Sequence, residues 1–368
     1  MKNENLTCGF IGLGLIGGSI AKALRQTYPD AALIGYDTNT QSLQLALREG
    51  VLNASVEEIG EEFRDCDYIF LCAPVSCNAQ NLEKVKAFLS PQCLLTDVGS
   101  VKTDIHSHIE ALGLDGQFIG GHPMAGSERT GYLNARALLL ENAYYILTPA
   151  PGVPAEKISA YRDLVSSLGA IPLVLSCDEH DYVTAAVSHL PHVIASSLVN
   201  LIRSSDSRDG IMKMIAAGGF KDITRIASSS PAMWQQICLT NAENIDALLD
   251  AYIASLKSIQ EEIRSHSASC VYDFFEQARL YRDSFINASS GPIKKSYAVS
   301  IEIADEPGAL ASIATILALN NISIKNIGIL HNREQQDGVL GIEFYDPESI
   351  REARRILTPK GYVVHEKS

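Results

Sequence analysis

The chain has 368 residues, 46% of them apolar and 20% charged, with 43 acidic against 30 basic side chains and a formal charge of −13. That length and apolar share exclude wholesale disorder and a small scaffold dependent on disulfides or metal; they point to two or three domains, each with its own core. The acidity opposes contact with a nucleic-acid backbone, so no nucleic-acid partner is expected, and an anionic small molecule would need a local cluster of cations.

Strand and helix signals alternate from the N-terminus. Leu6–Gly12 is a short apolar run ending in glycine, Ile16–Arg25 has helical spacing, Ala31–Asp37 is a second strand and Gln41–Glu49 a helix. Cys66–Ala73 (CDYIFLCA) and Cys93–Val98 are continuous apolar strands, and Gln117–Gly121 is a weaker one. Strands at Ala143–Thr148 and Pro172–Ser176 flank a helix at Ala155–Leu168. Continuous apolar strands alternating with helices predict one parallel sheet covered on both faces, an α/β domain over residues 1–176.

From Asp178 to Phe285 almost no strand signal remains, so 177–286 is predicted to be all-helical. Ile245, Leu248, Leu249, Tyr252, Ile253, Leu256, Ile259 and Ile263 place a wide apolar stripe on one long helix, of the kind that packs against a second subunit. Ser230-Pro231 is an N-cap and first-turn pair for the helix before it. Val183–Ile202 is the longest apolar stretch, but His189, Pro191 and His192 interrupt it; it reads as a buried helix and no membrane partner is expected. Residues 287–295 (NASSGPIKK) form a Ser/Gly/Pro-rich linker. In 296–368, strands at Tyr297–Ile303, Ile322–Leu330, Val339–Tyr345 and Tyr362–His365 and helices at Gly308–Leu319 and Pro347–Leu357 spell βαββαβ, the ferredoxin-like order.

The eight cysteines form no CxxC pair and mostly sit among apolar residues, which reads as reduced core thiols. The opening MKNENLTCGF carries no apolar leader-like run, so a cytoplasmic location is expected.

Three clusters carry chemistry. Gly12-Leu13-Gly14-Leu15-Ile16-Gly17 lies between the first strand and first helix. Gly12 permits a tight turn, Gly14 lets a pyrophosphate approach the backbone, and Gly17 lets helix and strand pack closely, with the helix N-terminus facing the phosphates. Asp37 ends the second strand 20 residues after Gly17, where a carboxylate accepts from ribose hydroxyls and repels a 2′-phosphate; a Rossmann-type domain binding NAD is expected. The plain alternative for Asp37 is a helix cap, a task open to Thr38 and Asn39.

The second cluster joins Thr96–Lys102 to Gly120–Glu128, both at strand C-termini. Ser100 is either a helix N-cap or a site residue, and Pro123 with the paired glycines suggests that the His122 ring is held in one orientation. The third cluster is Ser188-His189-Leu190-Pro191-His192 with Gly218–Ala227. Pro191 should kink its helix, and the histidine pair lacks further ligands at metal-binding spacing, so no metal is expected. Lys221 and Arg225 beside Gly218-Gly219 make a candidate anion site, with Arg225 able to hold a carboxylate through two parallel hydrogen bonds. Trp234, the sole tryptophan, has two readings, core packing and ligand contact.

The strings GLGLIGGS, LCAPV, TDVGSVK, GGHPMAGSE, SHLPH and GGFKDITRIA, running in order from Phe10 to about Trp234, resemble the prephenate dehydrogenase family. The tail, with Asp305-Glu306-Pro307-Gly308-Ala309-Leu310, is similar to an ACT domain, so the resemblance spans nearly the whole chain. It implies a Rossmann-type NAD domain, an all-α substrate and dimerisation domain and a regulatory ACT domain, in a homodimer. It implies oxidation of prephenate by NAD with loss of CO2, giving 4-hydroxyphenylpyruvate and NADH in tyrosine biosynthesis. His122 would be the catalytic base and Ser100 would orient the substrate hydroxyl. Arg225 would hold a carboxylate, with His192, Ser188, Glu128, Lys221, Gly218 and Trp234 completing the pocket. Gly12, Gly14, Leu15, Ile16, Gly17, Asp37, Ala73, Pro74 and Ser100 would contact the cofactor. Tyrosine would bind the ACT domain near Gly308 and Asn321 as effector. The alternatives are an arogenate dehydrogenase, a non-catalytic amino-acid sensor on a dehydrogenase scaffold, and a two-domain hydroxy-acid dehydrogenase, whose usual later-helix lysine is not matched by the His122 segment.

Overall fold

The computed structural model describes residues 6–126, 129–287, 297–303, 308–330 and 338–366. The chain divides into two compact units, Met1–Val271 and Tyr272–Ser368.

The first unit begins with β1 (Thr7–Ile11), α1 (Leu15–Thr27), β2 (Ala32–Tyr36), α2 (Thr40–Arg48), β3 (Ala54–Ser55), β4 (Tyr68–Leu71), α3 (Val75–Lys86) and β5 (Leu94–Asp97). The strands form one parallel sheet in the order β3-β2-β1-β4-β5. The strand order reverses between β1 and β4, and the crevice beyond their carboxyl ends is where ligands bind in open α/β sheets. The apolar runs of β1 and β4 put Phe10 against Phe70, rings stacked at 5.1 Å and fully buried.

Next come α4 (Thr103–Leu112), β6 (Ile119–Pro123), β7 (Tyr144–Pro149), α5 (Ala155–Ser167) and β8 (Ile171–Val174). Here the expectation of a single parallel sheet is corrected. β6, β7 and β8 make a separate three-stranded sheet, with β6 antiparallel to β7 and a parallel bridge, Leu95 to Phe118, leading back to the first. Within the described part of the β6–β7 connection there are short 3-10 turns but no crossover α-helix, so the chain can return antiparallel. Strands covered on both faces have the same apolar pattern whichever way the neighbour runs, which is why periodicity does not reveal the reversal.

The helical part holds α6 (Cys177–Thr184), a π-turn at Ala185–His189, α7 (Leu190–Ser205), α8 (Ile211–Ile215), α9 (Gly218–Thr224), α10 (Pro231–Thr240), α11 (Ala242–Arg264) and α12 (Ala268–Asn287), most of the last belonging to the second unit. Ser176 caps α6 in a capping box with Glu179, and Ser230 caps α10 by accepting from the Met233 N–H. Pro191 sits in the first turn of α7, just after the π-turn, where its missing N–H is easiest to accommodate.

The reading of Val183–Ile202 as a buried helix is corrected too. Of α7 only Ala195 is buried, and Val183, Val187 and Leu201 are exposed, as are Ile253, Leu256 and Ile263 of α11. Apolar composition says that a face needs cover, but not which molecule supplies it. The segment Cys177–Ser205 has the length and hydropathy to cross a membrane, yet it carries His180, Asp181 and His189, all buried and hydrogen-bonded inside this unit. The cysteines are likewise less uniform than expected: all eight are free, but Cys8, Cys66 and Cys93 are buried while Cys77 and Cys270 are exposed.

In the second unit β9 (Tyr297–Ile303), α13 (Ala309–Leu319), β10 (Ile324–Leu330), β11 (Gly338–Phe344), α14 (Pro347–Leu357) and β12 (Val364–Glu366) follow the expected βαββαβ order. The four strands are antiparallel, in the order β10-β11-β9-β12. Val299, Ile301, Ile313, Leu317, Leu340, Ile342, Phe344, Ala353 and Leu357 form its core.

Candidate active site

The glycine turn between β1 and α1 divides its roles by geometry. Gly12 has φ +98°, and a Cβ there would lie 2.5 Å from the Ala73 nitrogen, so only glycine fits beside the end of β4. A Cβ on Gly17 would lie 2.5 Å from the Gly12 carbonyl oxygen; its absence lets α1 close on the turn. A Cβ on Gly14 would meet nothing within 4 Å. That open space lies at the N-terminus of a 13-residue helix with no side-chain cap and no acidic residue in its first turn, where the N–H groups of Leu15, Ile16 and Gly17 are suited to an anion. Ala73 and Pro74 follow β4 beside this turn, and Pro74 leads into α3.

Asp37 accepts from the Leu13 N–H at 2.5 Å and from the Asn39 N–H at 2.7 Å, one bond on each oxygen. Asn39, not Asp37, caps α2, accepting from Gln41 and Ser42. The half-exposed carboxylate keeps lone pairs for a pair of ribose hydroxyls. The turn therefore fits a dinucleotide on three independent counts: open backbone, uncapped helix terminus and placed carboxylate.

The loop after β5 carries Ser100. It is anchored by Asp97, whose carboxylate accepts from the Gly99 N–H and, across to β6, from the Gly121 N–H. Fully buried Lys102 bonds the same carboxylate at 2.5 Å and the Gly121 carbonyl at 2.8 Å. A charged pair removed from water this completely must be well hydrogen-bonded to persist, and here it clamps the Ser100 loop to the strand bearing His122. The helix-cap reading of Ser100 falls away, because Lys102 is the N-cap residue of α4.

His122, in β6, is buried. Its Nδ1 lies 2.8 Å from Nε2 of His180, whose own Nδ1 lies 2.7 Å from the Asp181 carboxylate. Asp181 also accepts from the Lys102 and Thr103 backbone N–H groups and the Thr103 hydroxyl. Burial, then His180 and Lys102, pushes the His122 pKa well below the ordinary histidine range.

Asn241 donates to the Asp181 carbonyl at 2.8 Å and contacts His189 Nδ1 at 3.2 Å. Trp234 meets His189 edge-on and stacks on His192 at 3.7 Å between ring centroids. His192 donates from Nδ1 to the Ser188 carbonyl at 2.9 Å, a bond across one turn made where the helix changes from π to α. Its pKa is lowered first by burial, and also by the charge of Arg225, which places that guanidinium in its electrostatic neighbourhood.

One network therefore joins His122, His180, Asp181, Asn241, His189, Trp234 and His192, with Arg225 near its end. Arg225 opens a 3-10 turn (Arg225–Ser228) after α9 and is exposed, as are Lys221 and Gly218. Glu128 lies outside the described residues. Gly308 is the left-handed N-cap of α13, with φ +95°, and Asn321 is left-handed at φ +58°; both belong to the second unit.

The sequence reading passed over His180, Asp181 and Asn241, and its second cluster held Asp97 and Lys102 without their pairing. A signal existed for two of them: His180 and Asp181 are adjacent, at the start of a helical stretch that also carries His189 and His192. Nothing in the spacing links His180 to a strand 58 residues earlier.

Comparison with known proteins gives consistent matches. The model for the prephenate dehydrogenase nucleotide-binding domain matches residues 20–173, and that for the prephenate dehydrogenase dimerization domain matches 176–277. A prephenate dehydrogenase of Bacillus subtilis is 36% identical over 94% of each chain. One of Lactococcus lactis is 34% identical over 94% of this chain and 96% of its own. The crystal structure of Aquifex aeolicus prephenate dehydrogenase in complex with hydroxyphenyl propionate and NAD+ has a TM-score of 0.72 and 30% identity, covering 76% of this chain and 98% of that one.

Proposed function

The chain belongs to the prephenate dehydrogenase family and is an NAD-dependent oxidoreductase; from that premise we propose that His122 is the base that starts the oxidation of prephenate. The observation that carries this is a buried imidazole at the carboxyl end of a strand, kept neutral and tied by hydrogen bonds to a carboxylate. Prephenate is a cyclohexadiene with a hydroxyl at C4 and a carboxylate and a pyruvyl arm at C1. NAD, when bound, supplies the acceptor for the C4 hydride. His122 takes the hydroxyl proton as the hydride leaves, and Ser100 orients that hydroxyl. The C1 carboxylate departs as CO2, its bonding pair making the ring aromatic, and the C4 oxygen takes a proton back, giving 4-hydroxyphenylpyruvate. Aromatisation drives the step, so the side chains mainly position the substrate and manage one proton.

Arg225 holds a substrate carboxylate, aided by His192, Ser188, Lys221, Gly218, Trp234 and Glu128. Local positive charge of this kind is what an acidic chain needs to admit a dianion. The arm carboxylate is the better partner for Arg225, since a clamp on the departing one would oppose its loss. Gly12, Gly14, Leu15, Ile16, Gly17, Ala73, Pro74 and Ser100 line the cofactor, and Asp37 holds the adenosine ribose.

The domain division proposed is 1–176 for NAD, 177–286 for substrate and dimerisation, 287–295 as linker and 296–368 as an ACT domain, in a cytoplasmic homodimer. Tyrosine is the proposed effector of that last domain, bound near Gly308 and Asn321. The βαββαβ order and antiparallel sheet support it. Truncation after Ser290 should leave a folded enzyme that tyrosine no longer inhibits; unchanged inhibition would remove the regulatory role.

The test of the function is direct. Purified protein with prephenate and NAD should generate NADH absorbance, with arogenate and NADP in parallel. Turnover of arogenate alone would reassign the substrate, and no turnover of either would overturn the proposal.

A further inference from the structure

We propose that His180 and Asp181 are a positioning pair that locks the His122 ring in the tautomer with its proton on Nδ1, leaving Nε2 as the proton acceptor. The inference rests on the reading of His122 as the base and adds what prepares it for that task.

Burial pushes the Asp181 carboxyl up, but hydrogen bonds from His180, the Thr103 hydroxyl and the Thr103 and Lys102 N–H groups outweigh it and hold the group at about 2. An ionised carboxylate only accepts. The 2.7 Å contact with His180 Nδ1 is therefore donated by His180. A neutral imidazole carries one proton, so Nε2 of His180 has a lone pair and can only accept. The 2.8 Å contact between that atom and His122 Nδ1 is then donated by His122. His122 has spent its one proton on this bond, and Nε2 is left bare.

The chain of assignments holds while His180 stays neutral. Its pKa is lowered chiefly by burial, with Lys102 adding to the shift and Asp181 and Asp97 opposing it. The charged and titratable groups facing His122 itself are His180 and Asp181 from α6, Lys102 from the Ser100 loop and His189 from the π-turn. Were His180 doubly protonated, its Nε2 would donate to His122, and the His122 proton would move to Nε2 and block the base. The logic is that of an aspartate orienting a catalytic histidine, with a second imidazole inserted between them. The pair touches neither substrate nor cofactor in this scheme; it acts through His122.

His180→Phe keeps an aromatic ring and removes both nitrogens, while Asp181 retains its bonds to Lys102 and Thr103. Its kcat with prephenate and NAD should fall by about 10- to 100-fold, the usual loss when an orienting partner is removed, with both KM values held. His180→Gln, whose amide can donate to Asp181 and accept from His122, should recover much of that loss. Nitrogen-15 spectra of the histidine rings, with His122 assigned by comparison with His122→Asn, provide a readout apart from activity. In the full-length protein His122 should show a protonated Nδ1 and bare Nε2, and in His180→Phe a proton on Nε2. A bare Nδ1 in the unmodified protein would overturn the proposal, and so would an unchanged spectrum and kcat in His180→Phe. If His180→Phe fails to fold, the spectrum of the unmodified protein decides alone. Failure of the base reading is seen separately, as near-normal kcat in His122→Asn.

Discussion

An imidazole buried as deeply as that of His122 gives up its positive charge at neutral pH, and that is what a base needs. Its pKa lies well below the ordinary 6.5, first through burial, so the base form persists as pH falls through the usual histidine range and is lost only at lower pH. The acid limb of kcat/KM should accordingly lie below that range; a limb at or above it would contradict the assignment. His122→Asn should lower kcat by about 10²–10⁴-fold with substrate binding largely kept. Arg225→Ala should chiefly raise the KM for prephenate, by the equivalent of about 1.5–3 kcal/mol for a hydrogen bond to a charged group. Steady-state kinetics separate the two, because in the proposed scheme one residue handles the proton and the other holds the substrate.

The turn from β1 to α1 shows one residue type doing unlike jobs within a single element. Gly17→Ala would drive a methyl into the Gly12 carbonyl, 2.5 Å away and part of the backbone, so it should destabilise the protein by about 1–3 kcal/mol even without cofactor. Gly14 has φ −83° and open space around its missing side chain, so Gly14→Ala should leave the denaturation midpoint nearly unchanged. It should instead raise the KM for NAD, since the added methyl occupies the pyrophosphate's approach. Urea titration beside NAD kinetics would show whether the two effects separate. Asp37 belongs to the same element pair: Asp37→Ser should narrow the preference for NAD over NADP, and unaltered discrimination would contradict the ribose assignment.

Across the whole molecule the buried histidines set an acid limit. His122, His180 and His189 all have lowered pKa values, burial being the first cause in each, and His189 lies at about 4. A group whose folded pKa is depressed binds more protons when unfolded, so stability rises with pH between the folded and unfolded values. Cooling of stability should begin as pH falls below about 6.5 and continue towards pH 4, before most carboxylates titrate. Asp181, held at about 2, adds a further loss from about pH 4 downward. Denaturant midpoints measured from pH 7.5 to 4 would show this, and a flat profile above pH 5 would refute it. At the same scale, the exposed apolar residues of α7 and α11 lie within the stretch that matches a dimerization domain, so sedimentation should show more than one chain per particle.

Residues alone determined what short-range physics controls. The glycine turn, Asp37 at a strand end, the Ser176 and Ser230 caps and the βαββαβ order of the tail are written in spacings of a few residues, where backbone geometry leaves little choice. The motif strings were enough to name a family and to choose His122 and Arg225. Tertiary structure alone decided which groups meet across long separations. It turned β6 antiparallel to β7, buried Lys102 against Asp97, and set His180 against a strand remote in sequence. Such contacts arise because packing brings distant segments together to satisfy buried polar groups, and no local periodicity records which partner a buried imidazole will find.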